Sequence, residues 1–179
     1  MSPNELTDLF SLIDRLKRTK RSGWVNHGVN SPESVADHSF GLSVSAIALA
    51  SYLELDISKV ALISIIHDLG ESIIGDIISP EDRAGSELKY QKEYEAIKSI
   101  LSRFKNKDEL LELWLDFEHG KTKEGRFVKE LDKVEMCLQA LSYEKEQRLD
   151  LSEFFTHTES RLSNPDLIEL FNYIKEQRN

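Results

Sequence analysis

The sequence predicts an all-α protein, and three observations support this. Apolar residues recur at three- and four-residue spacing in several segments, which is the period of an amphipathic helix. No sustained alternation of period two indicates a strand, and no repeat or low-complexity linker interrupts the 179 residues. That length suits one core, so we expect residues 1–179 to form a compact single-domain bundle of about six to eight helices.

The first two helices are indicated by an apolar stripe and by a capping motif. The stripe consists of Leu6, Leu9, Phe10, Ile13 and Leu16. We expect the first helix to end at Gly23-Trp24, where a loop begins. Ser34 and Asp37 have the spacing of a capping box, which predicts a second helix over residues 35–53. This segment has small residues and hydrophobes on most faces, which suits a central helix surrounded by neighbours.

A third helix follows at once. Ser58 is a suitable cap, residues 60–66 are apolar nearly all round, and Gly70 is a suitable end. This helix is also expected to be central. Residues 72–74 are the only strand candidate in the chain, and a loop explains them equally well.

The second half of the chain carries four more helical patterns. Stripes of period 3.6 cover residues 94–104, 110–117 and 127–141. The last helix is expected to begin at Asn164-Pro165, because Asn caps well and Pro is tolerated in the first turn.

Composition excludes several classes of function. The formal charge of −9 argues against binding a nucleic-acid polymer, since that affinity depends on basic surface. A basic island at residues 15–21 suits either a few phosphate oxygens or a solvated helix end, and charge alone does not decide between them. The single Cys137 excludes a disulfide framework, and no apolar run is long enough for a membrane span or a signal peptide. We therefore expect a soluble, cytoplasmic protein without a membrane partner.

Four residues at the ends or flanks of buried helices form a candidate metal site. They are His38, the pair His67-Asp68, and the distant Asp132. Imidazole and carboxylate groups bind one divalent ion such as Mn, Co, Fe, Ni, Zn or Mg, and helices can converge on an ion inside a bundle. Each residue alone is better explained as a core histidine, a cap or a surface ion pair. The joint pattern favours a metal site with open positions for water and substrate.

These residues resemble the H…HD…D signature of the HD-domain superfamily of metal-dependent phosphohydrolases. Further blocks are similar to those of the HD-domain 5′-deoxynucleotidases, most clearly over residues 10–147. The blocks are RSGWV at 21–25, PESVADH at 32–38, HDLGE at 67–71, GDI at 75–77 and FVKELDK at 127–133.

The resemblance implies roles for residues beyond the metal ligands. Glu71 lies one helical turn after His67 and would act on a nearby water as general base or acid. Asp76 is similar to a residue that helps to position this water or the nucleotide. Arg18 or Arg21 would contact the 5′-phosphate, because guanidinium suits bidentate phosphate recognition. Trp24 corresponds to an aromatic residue that disfavours a ribose 2′-hydroxyl, although a Trp after a helix end is also often an apolar plug.

One position departs from the family pattern. Where relatives commonly carry an Arg three residues after the Trp, this chain has His27. Either a protonated His27 takes over that part of phosphate binding, or Arg21 suffices for it. His119 is left outside the site, since a helix end before Gly120 explains it.

The function that the sequence predicts is hydrolysis of deoxyribonucleoside 5′-monophosphates to deoxyribonucleosides and phosphate. Two alternatives remain open at this point. One is an HD phosphohydrolase that acts on another phosphoester, such as a cyclic nucleotide or an alarmone. The other is a non-catalytic HD protein that binds nucleotide or metal, which would not require Glu71 and Asp76. The resemblance also implies a homodimer.

Overall fold

A computed structural model describes residues 2–78 and 83–178 of the chain. Its elements are α1 (Pro3–Arg18), α2 (Ser22–Asn26), α3 (Val35–Ala50), α4 (Ile57–Ile66), α5 (Glu71–Ile74), α6 (Arg83–Leu101), α7 (Lys107–His119), α8 (Lys123–Gln147), α9 (Ser152–Glu159) and α10 (Pro165–Glu176). Within these ranges the only β contact is an isolated bridge between Lys20 and Ser34. The predicted all-α class is confirmed, with more helical segments than the six to eight expected.

The first helix ends earlier than the sequence suggested. It stops at Arg18, and the next residues are extended because the Lys20–Ser34 bridge ties them to the chain before α3. The N–H of Val35 donates to the carbonyl of Thr19 at 2.9 Å in the same connection. Gly23-Trp24 therefore lies inside the short helix α2, and the prediction that it ends the first helix was wrong.

The capping motifs fix the starts of α3 and α4. In the predicted capping box, Ser34 Oγ accepts from the N–H of Asp37 at 3.1 Å, and the Asp37 carboxylate accepts from the N–H of Ser34 at 2.8 Å. The predicted cap of the next helix was wrong. Asp56, two residues before Ser58, accepts from the N–H of Lys59 at 3.0 Å, so α4 begins at Ile57.

The strand candidate at residues 72–74 is a short helix. After α4 the chain continues in tight turns, in which the N–H of Glu71 donates to the carbonyl of Asp68 at 3.0 Å. Gly70 thus begins α5 instead of ending the helix before it. This one-turn helix keeps Glu71 close to the end of α4.

Two apolar clusters hold the bundle together. The larger one joins α3, α4, α8, α9 and α10 through residues such as Leu42, Ile63 and Leu131. A smaller one packs the end of α4 against α6 and α7 around Trp114. As a result, the first turn of α3, the end of α4 and the middle of α8 meet at one point inside the protein.

One face of the two central helices stays uncovered. On α3 the side chains of Phe40, Val44 and Ile47 are 72%, 52% and 42% exposed, and on α4 Ile65 is 57% exposed. The expectation that neighbours surround both helices was therefore wrong on this face. No helix among the described residues is long and apolar enough to cross a membrane.

Candidate metal centre and cavity

Three of the predicted ligands meet at the junction of α3, α4 and α8. His38, His67 and Asp132 each place one ligand atom within 4.8 Å of the others. His38 is fully buried and His67 is nearly so. His38 Nε2 lies 3.0 Å from Asp132 Oδ1, and the two imidazole rings have centroids 5.4 Å apart. Residues 94 positions apart along the sequence thus surround one small volume.

The orientation of the two rings fits a metal ion. His67 Nδ1 lies 2.8 Å from the carbonyl oxygen of Ser64, which only accepts, so Nδ1 carries the proton and Nε2 keeps its lone pair. His38 Nδ1 faces the carboxylate of Glu135 at 2.7 Å in the same way. Both Nε2 atoms are buried and make no hydrogen bond among the described residues, although a carboxylate oxygen lies 3.0 Å from His38 Nε2 and another lies 3.1 Å from His67 Nε2. Because unpaired buried nitrogens are costly, two of them aimed at one carboxylate fit a divalent cation.

Asp68 lies at the edge of this group. Its Oδ2 is 3.1 Å from His67 Nε2 and accepts from Arg21 Nη1 at 3.2 Å, although Asp68 does not belong to the group of ligand atoms that all lie within 4.8 Å of one another. Burial opposes ionisation, but His67 and Arg21 hold the pKa of Asp68 well below its usual range. The carboxylate therefore faces the same volume in its charged form.

Asp132 and His38 also have shifted pKa values. For Asp132, burial is outweighed by the close approach of the His38 imidazole and by the charge of Lys133, so its pKa is well below the usual range. For His38, burial and Arg21 favour the neutral ring, but Asp132 and Glu135 raise the pKa to about 9. In the absence of a cation, the imidazolium balances these carboxylates.

Glu71 is positioned beside this group at the start of α5. Its side chain is 5% exposed, and Oε2 is buried without a hydrogen-bond partner among the described residues. Burial raises the pKa of Glu71 to about 10, and the charges of Asp68 and Asp76 add to the shift. The group therefore holds a proton at neutral pH, and it borders the cavity in which a substrate would bind.

Asp76 ties the loop after α5 to the start of α2. The N–H of Ser22 donates to Asp76 Oδ2 at 2.5 Å, and Ser22 Oγ donates to the Asp76 carbonyl at 2.7 Å. Gly75 has φ 78° and ψ 168°, a conformation that is essentially limited to glycine, and so allows the chain to turn here. Asp76 borders the cavity and also fixes the segment that carries Arg21.

The site opens into a cavity of about 420 Å³. Of the predicted substrate-binding residues, Arg21 and Trp24 line it. Arg18 does not, because its side chain is 78% exposed and pairs with Asp14 at 2.7 Å. His27 also lies outside the lining, where Nδ1 contacts the carbonyl of Gly23 and Nε2 contacts Glu153.

Sequence reasoning missed several residues of the cavity wall. They include the cations Lys129, Lys133 and Arg161 and the apolar side chains of Met136 and Phe154. Lys129 and Lys133 could have been found, since they share a helix with Asp132 at neighbouring positions. Phe154 and Arg161 lie in and beside α9, for which no helix was predicted. His119 pairs with Tyr90 at 3.3 Å and does not line the cavity.

Comparison with known proteins gives the class of the chain. The family model described as "HD domain" matches residues 13–171. The chain therefore belongs to the HD-domain family, which confirms the resemblance that the motifs indicated.

Individual relatives match over nearly the full length. A protein of Xenopus laevis named 5′-deoxynucleotidase HDDC2 is 36% identical, over 97% of this chain and 88% of its own. A protein of the same name from Dictyostelium discoideum is 38% identical, over 88% of this chain and 90% of its own. Among solved structures, a conserved hypothetical protein from Pyrococcus furiosus is 37% identical with a TM-score of 0.76, covering 95% of this chain and 99% of that one.

Proposed function

We propose that this chain is a metal-dependent 5′-nucleotidase that hydrolyses deoxyribonucleoside 5′-monophosphates to deoxyribonucleosides and phosphate. The observation that carries this proposal is the pair of buried, unpaired Nε2 atoms beside Asp132, which open into a cavity next to Glu71. Relatives named 5′-deoxynucleotidase that align with nearly the whole chain support the choice of substrate.

We assign His38, His67, Asp68 and Asp132 as ligands of one divalent ion. Two imidazole nitrogens and two carboxylates suit Mn, Co, Fe, Ni, Zn or Mg, and leave positions open for water and substrate. Such an ion would polarise a phosphoryl oxygen, lower the pKa of water at the site and favour the ionised form of Glu71.

The phosphate is assigned to the cationic side of the cavity. Arg21 is held by Asp68 at 3.2 Å, and its guanidinium can still present further N–H groups to phosphate oxygens. Lys129 and Lys133, both on α8, line the same cavity. Lys129 donates to the carbonyl of Glu118 at 2.7 Å, a neutral acceptor that orients the ammonium without cancelling its charge. This arrangement suits a phosphate group placed between α2 and α8.

Glu71 is assigned the proton transfers. The oxygen of a water attacks phosphorus while the bond from phosphorus to O5′ breaks. Glu71 Oε2 takes the proton from the attacking water and delivers it to O5′ of the leaving nucleoside. Asp76 acts through position, because its bonds to Ser22 keep the loop after α5 next to α2.

Trp24 is assigned to the wall that faces the sugar. Its Nε1 donates to Glu33 Oε1 at 2.8 Å, a residue that does not line the cavity, and its ring packs on Phe154 at 4.4 Å between centroids. The wall formed by Trp24 and Phe154 therefore offers no hydrogen-bond partner to a 2′-hydroxyl. A hydroxyl buried without a partner costs about 1–3 kcal/mol, which corresponds to roughly tenfold to more than a hundredfold in discrimination.

Two substitutions of Trp24 separate its packing from sugar discrimination. Trp24 is 1% exposed, so we expect Trp24→Ala to lower the free energy of unfolding by about 3–5 kcal/mol. Trp24→Phe keeps an apolar ring and should fold, but it leaves a gap beside the sugar. The ratio of kcat/KM for a deoxynucleotide to that for the matching ribonucleotide should then fall. An unchanged ratio in a folded Trp24→Phe variant would remove Trp24 from sugar recognition.

The direct test of the proposed function is phosphate release across a panel of substrates. Purified protein, stripped of metal and then supplied with each divalent ion in turn, is incubated with deoxyribonucleoside and ribonucleoside 5′-monophosphates, a cyclic nucleotide and an alarmone. We expect the deoxyribonucleoside monophosphates to have the highest kcat/KM. Preference for another phosphoester contradicts the substrate assignment, and binding without turnover contradicts the enzymatic one.

We also propose that residues 1–179 form one domain and that it works in the cytoplasm. A single apolar cluster includes residues from Trp24 to Ile174, which supports one folding unit. The one cysteine, Cys137, is buried and reduced, as suits a reducing compartment.

The uncovered face of α3 and α4 supports the proposal of a homodimer. Phe40, Val44 and Ile47 follow the spacing of one helix face, and Ile65 belongs to the neighbouring helix. Apolar patches of this kind commonly mark protein interfaces. We expect the wild type to be dimeric in light scattering and Phe40→Glu to be monomeric, because a charge there would be desolvated in the interface. A wild-type monomer would contradict this proposal and would leave the proposed activity unaffected.

A further inference from the structure

We propose that Glu135 and Gly41 form a positioning pair for His38. Glu135 accepts the Nδ1 proton of His38 and so aims Nε2 at the metal position, while Gly41 provides the space that Glu135 occupies. Neither residue belongs to the H…HD…D pattern. The inference rests on the proposed metal site, but it does not depend on which phosphoester is the substrate.

Two carboxylates in one turn of α8 face the two ring nitrogens of His38. Asp132 Oδ1 lies 3.0 Å from His38 Nε2, and Glu135, three residues later, accepts from Nδ1 at 2.7 Å. Since His38 is fully buried and Glu135 is 9% exposed, little water competes for these contacts. The ring therefore has one orientation in which Nδ1 donates to Glu135, and in that orientation Nε2 faces Asp132 and His67.

The group that accepts the Nδ1 proton of His38 is chemically different from the group that accepts the Nδ1 proton of His67. His67 donates to a neutral backbone carbonyl of Ser64, whereas His38 donates to a carboxylate. A carboxylate acceptor fixes the tautomer and makes the other ring nitrogen a more basic ligand. Of the two imidazoles, His38 is therefore the one whose affinity for metal depends on a side chain that substitution can change.

Gly41 lies one turn after His38 on α3 and faces Glu135. A Cβ at this position would lie 2.9 Å from Glu135 Oε1, closer than such atoms normally approach. Gly41 is not among the residues with positive φ, so its backbone conformation does not require glycine. Glycine is less favourable than alanine inside a helix. The physical reason for a glycine at position 41 is therefore the space that it leaves for Glu135.

Three variants test the pair. Metal-stripped Glu135→Leu, Glu135→Gln and Gly41→Ala are titrated with Mn²⁺ against a chelator, and the melting temperature of each metal-free protein is recorded. We expect Glu135→Leu to weaken Mn²⁺ binding by about 10- to 100-fold, as loss of an outer partner of a metal-ligating histidine commonly does. Glu135→Gln keeps an acceptor oxygen and should recover part of the loss. Gly41→Ala should weaken binding while the metal-free protein melts no lower than the wild type.

The Gly41→Ala result separates positioning from general stability, because alanine favours the helix and only the displaced carboxylate weakens metal binding.

Glu124→Gln is the matched control. Glu124 is another buried carboxylate on α8, 3.7 Å from Lys59, and it contacts no candidate ligand. We expect it to bind Mn²⁺ as the wild type does. If the Glu135 and Gly41 variants bind Mn²⁺ as tightly as the wild type, or if the wild type binds none, the proposal is wrong. Absence of phosphate release from deoxynucleotides by a protein that binds Mn²⁺ would refute the proposed function alone.

Discussion

Glu71→Gln is expected to keep its fold and its metal and to hydrolyse a deoxyribonucleoside 5′-monophosphate about 10²- to 10⁴-fold more slowly, the range for loss of a positioned acid-base group. The fold should persist because Glu71 Oε2 has no hydrogen-bond partner among the described residues, and because the metal-free protein holds Glu71 in a protonated form that the neutral amide imitates. The measurement compares kcat at saturating substrate with the metal content of the same sample.

Glu124→Gln is a suitable control, because Glu124 is also buried but does not line the cavity. Its kcat should match that of the wild type. If Glu71→Gln turned over at the wild-type rate, Glu71 would have no part in proton transfer. A variant that also lost its metal would instead make Glu71 a contributor to metal binding.

His67→Ala is expected to lose the metal and, with it, phosphate release. His67 provides one of only two imidazole nitrogens in the group of ligand atoms that all lie within 4.8 Å of one another, and its removal also leaves Asp68 without its nearest partner. The affinity for metal should fall by more than the roughly 10- to 100-fold that is typical when only the hydrogen-bond partner of a metal-ligating histidine is replaced. Metal per chain, measured by elemental analysis after dialysis, tests this directly.

His119→Ala provides the matching control, since His119 does not line the cavity and its partner Tyr90 is not a candidate ligand. It should retain metal and activity. Equal metal content in His67→Ala and the wild type would eliminate this centre as the metal site, whatever the activity of either protein.

Much of the fold follows from helix periodicity and caps. The stripes over residues 94–104, 110–117 and 127–141 correspond to α6, α7 and α8, and the Ser34–Asp37 capping box was correct in detail. The predicted helix ends were wrong where contacts between distant segments determine them. The end of α1 depends on the Lys20–Ser34 bridge, a contact between segments that no local pattern reveals.

In the candidate site, too, the residues in recognisable motifs were predicted, and a residue defined by a distant contact was not. The ligand candidates were found because a short motif places His67 and Asp68 at a helix end and the superfamily pattern supplies His38 and Asp132. Glu135 was missed because its partner, His38, is 97 positions away in the sequence. Without that partner, a Glu on a long helix cannot be distinguished from a surface charge.

The substrate-binding candidates show the limit of charge patterns. Arg18 and Arg21 belong to the same basic island, three positions apart. Because α1 ends at Arg18 and the chain then extends, Arg18 remains on the surface with Asp14, whereas Arg21 enters the cavity beside Asp68. Only the tertiary structure distinguishes the two.

A titration of metal-free protein with Mn²⁺ tests whether one bound ion makes this protein a phosphohydrolase. Bound Mn²⁺ and the initial rate of phosphate release from deoxyadenosine 5′-monophosphate are measured in the same samples. We expect the rate to rise in proportion to bound Mn²⁺ and to reach its plateau at one ion per chain. Full activity in the metal-free protein, or one tightly bound ion per chain without any release of phosphate, would contradict this expectation.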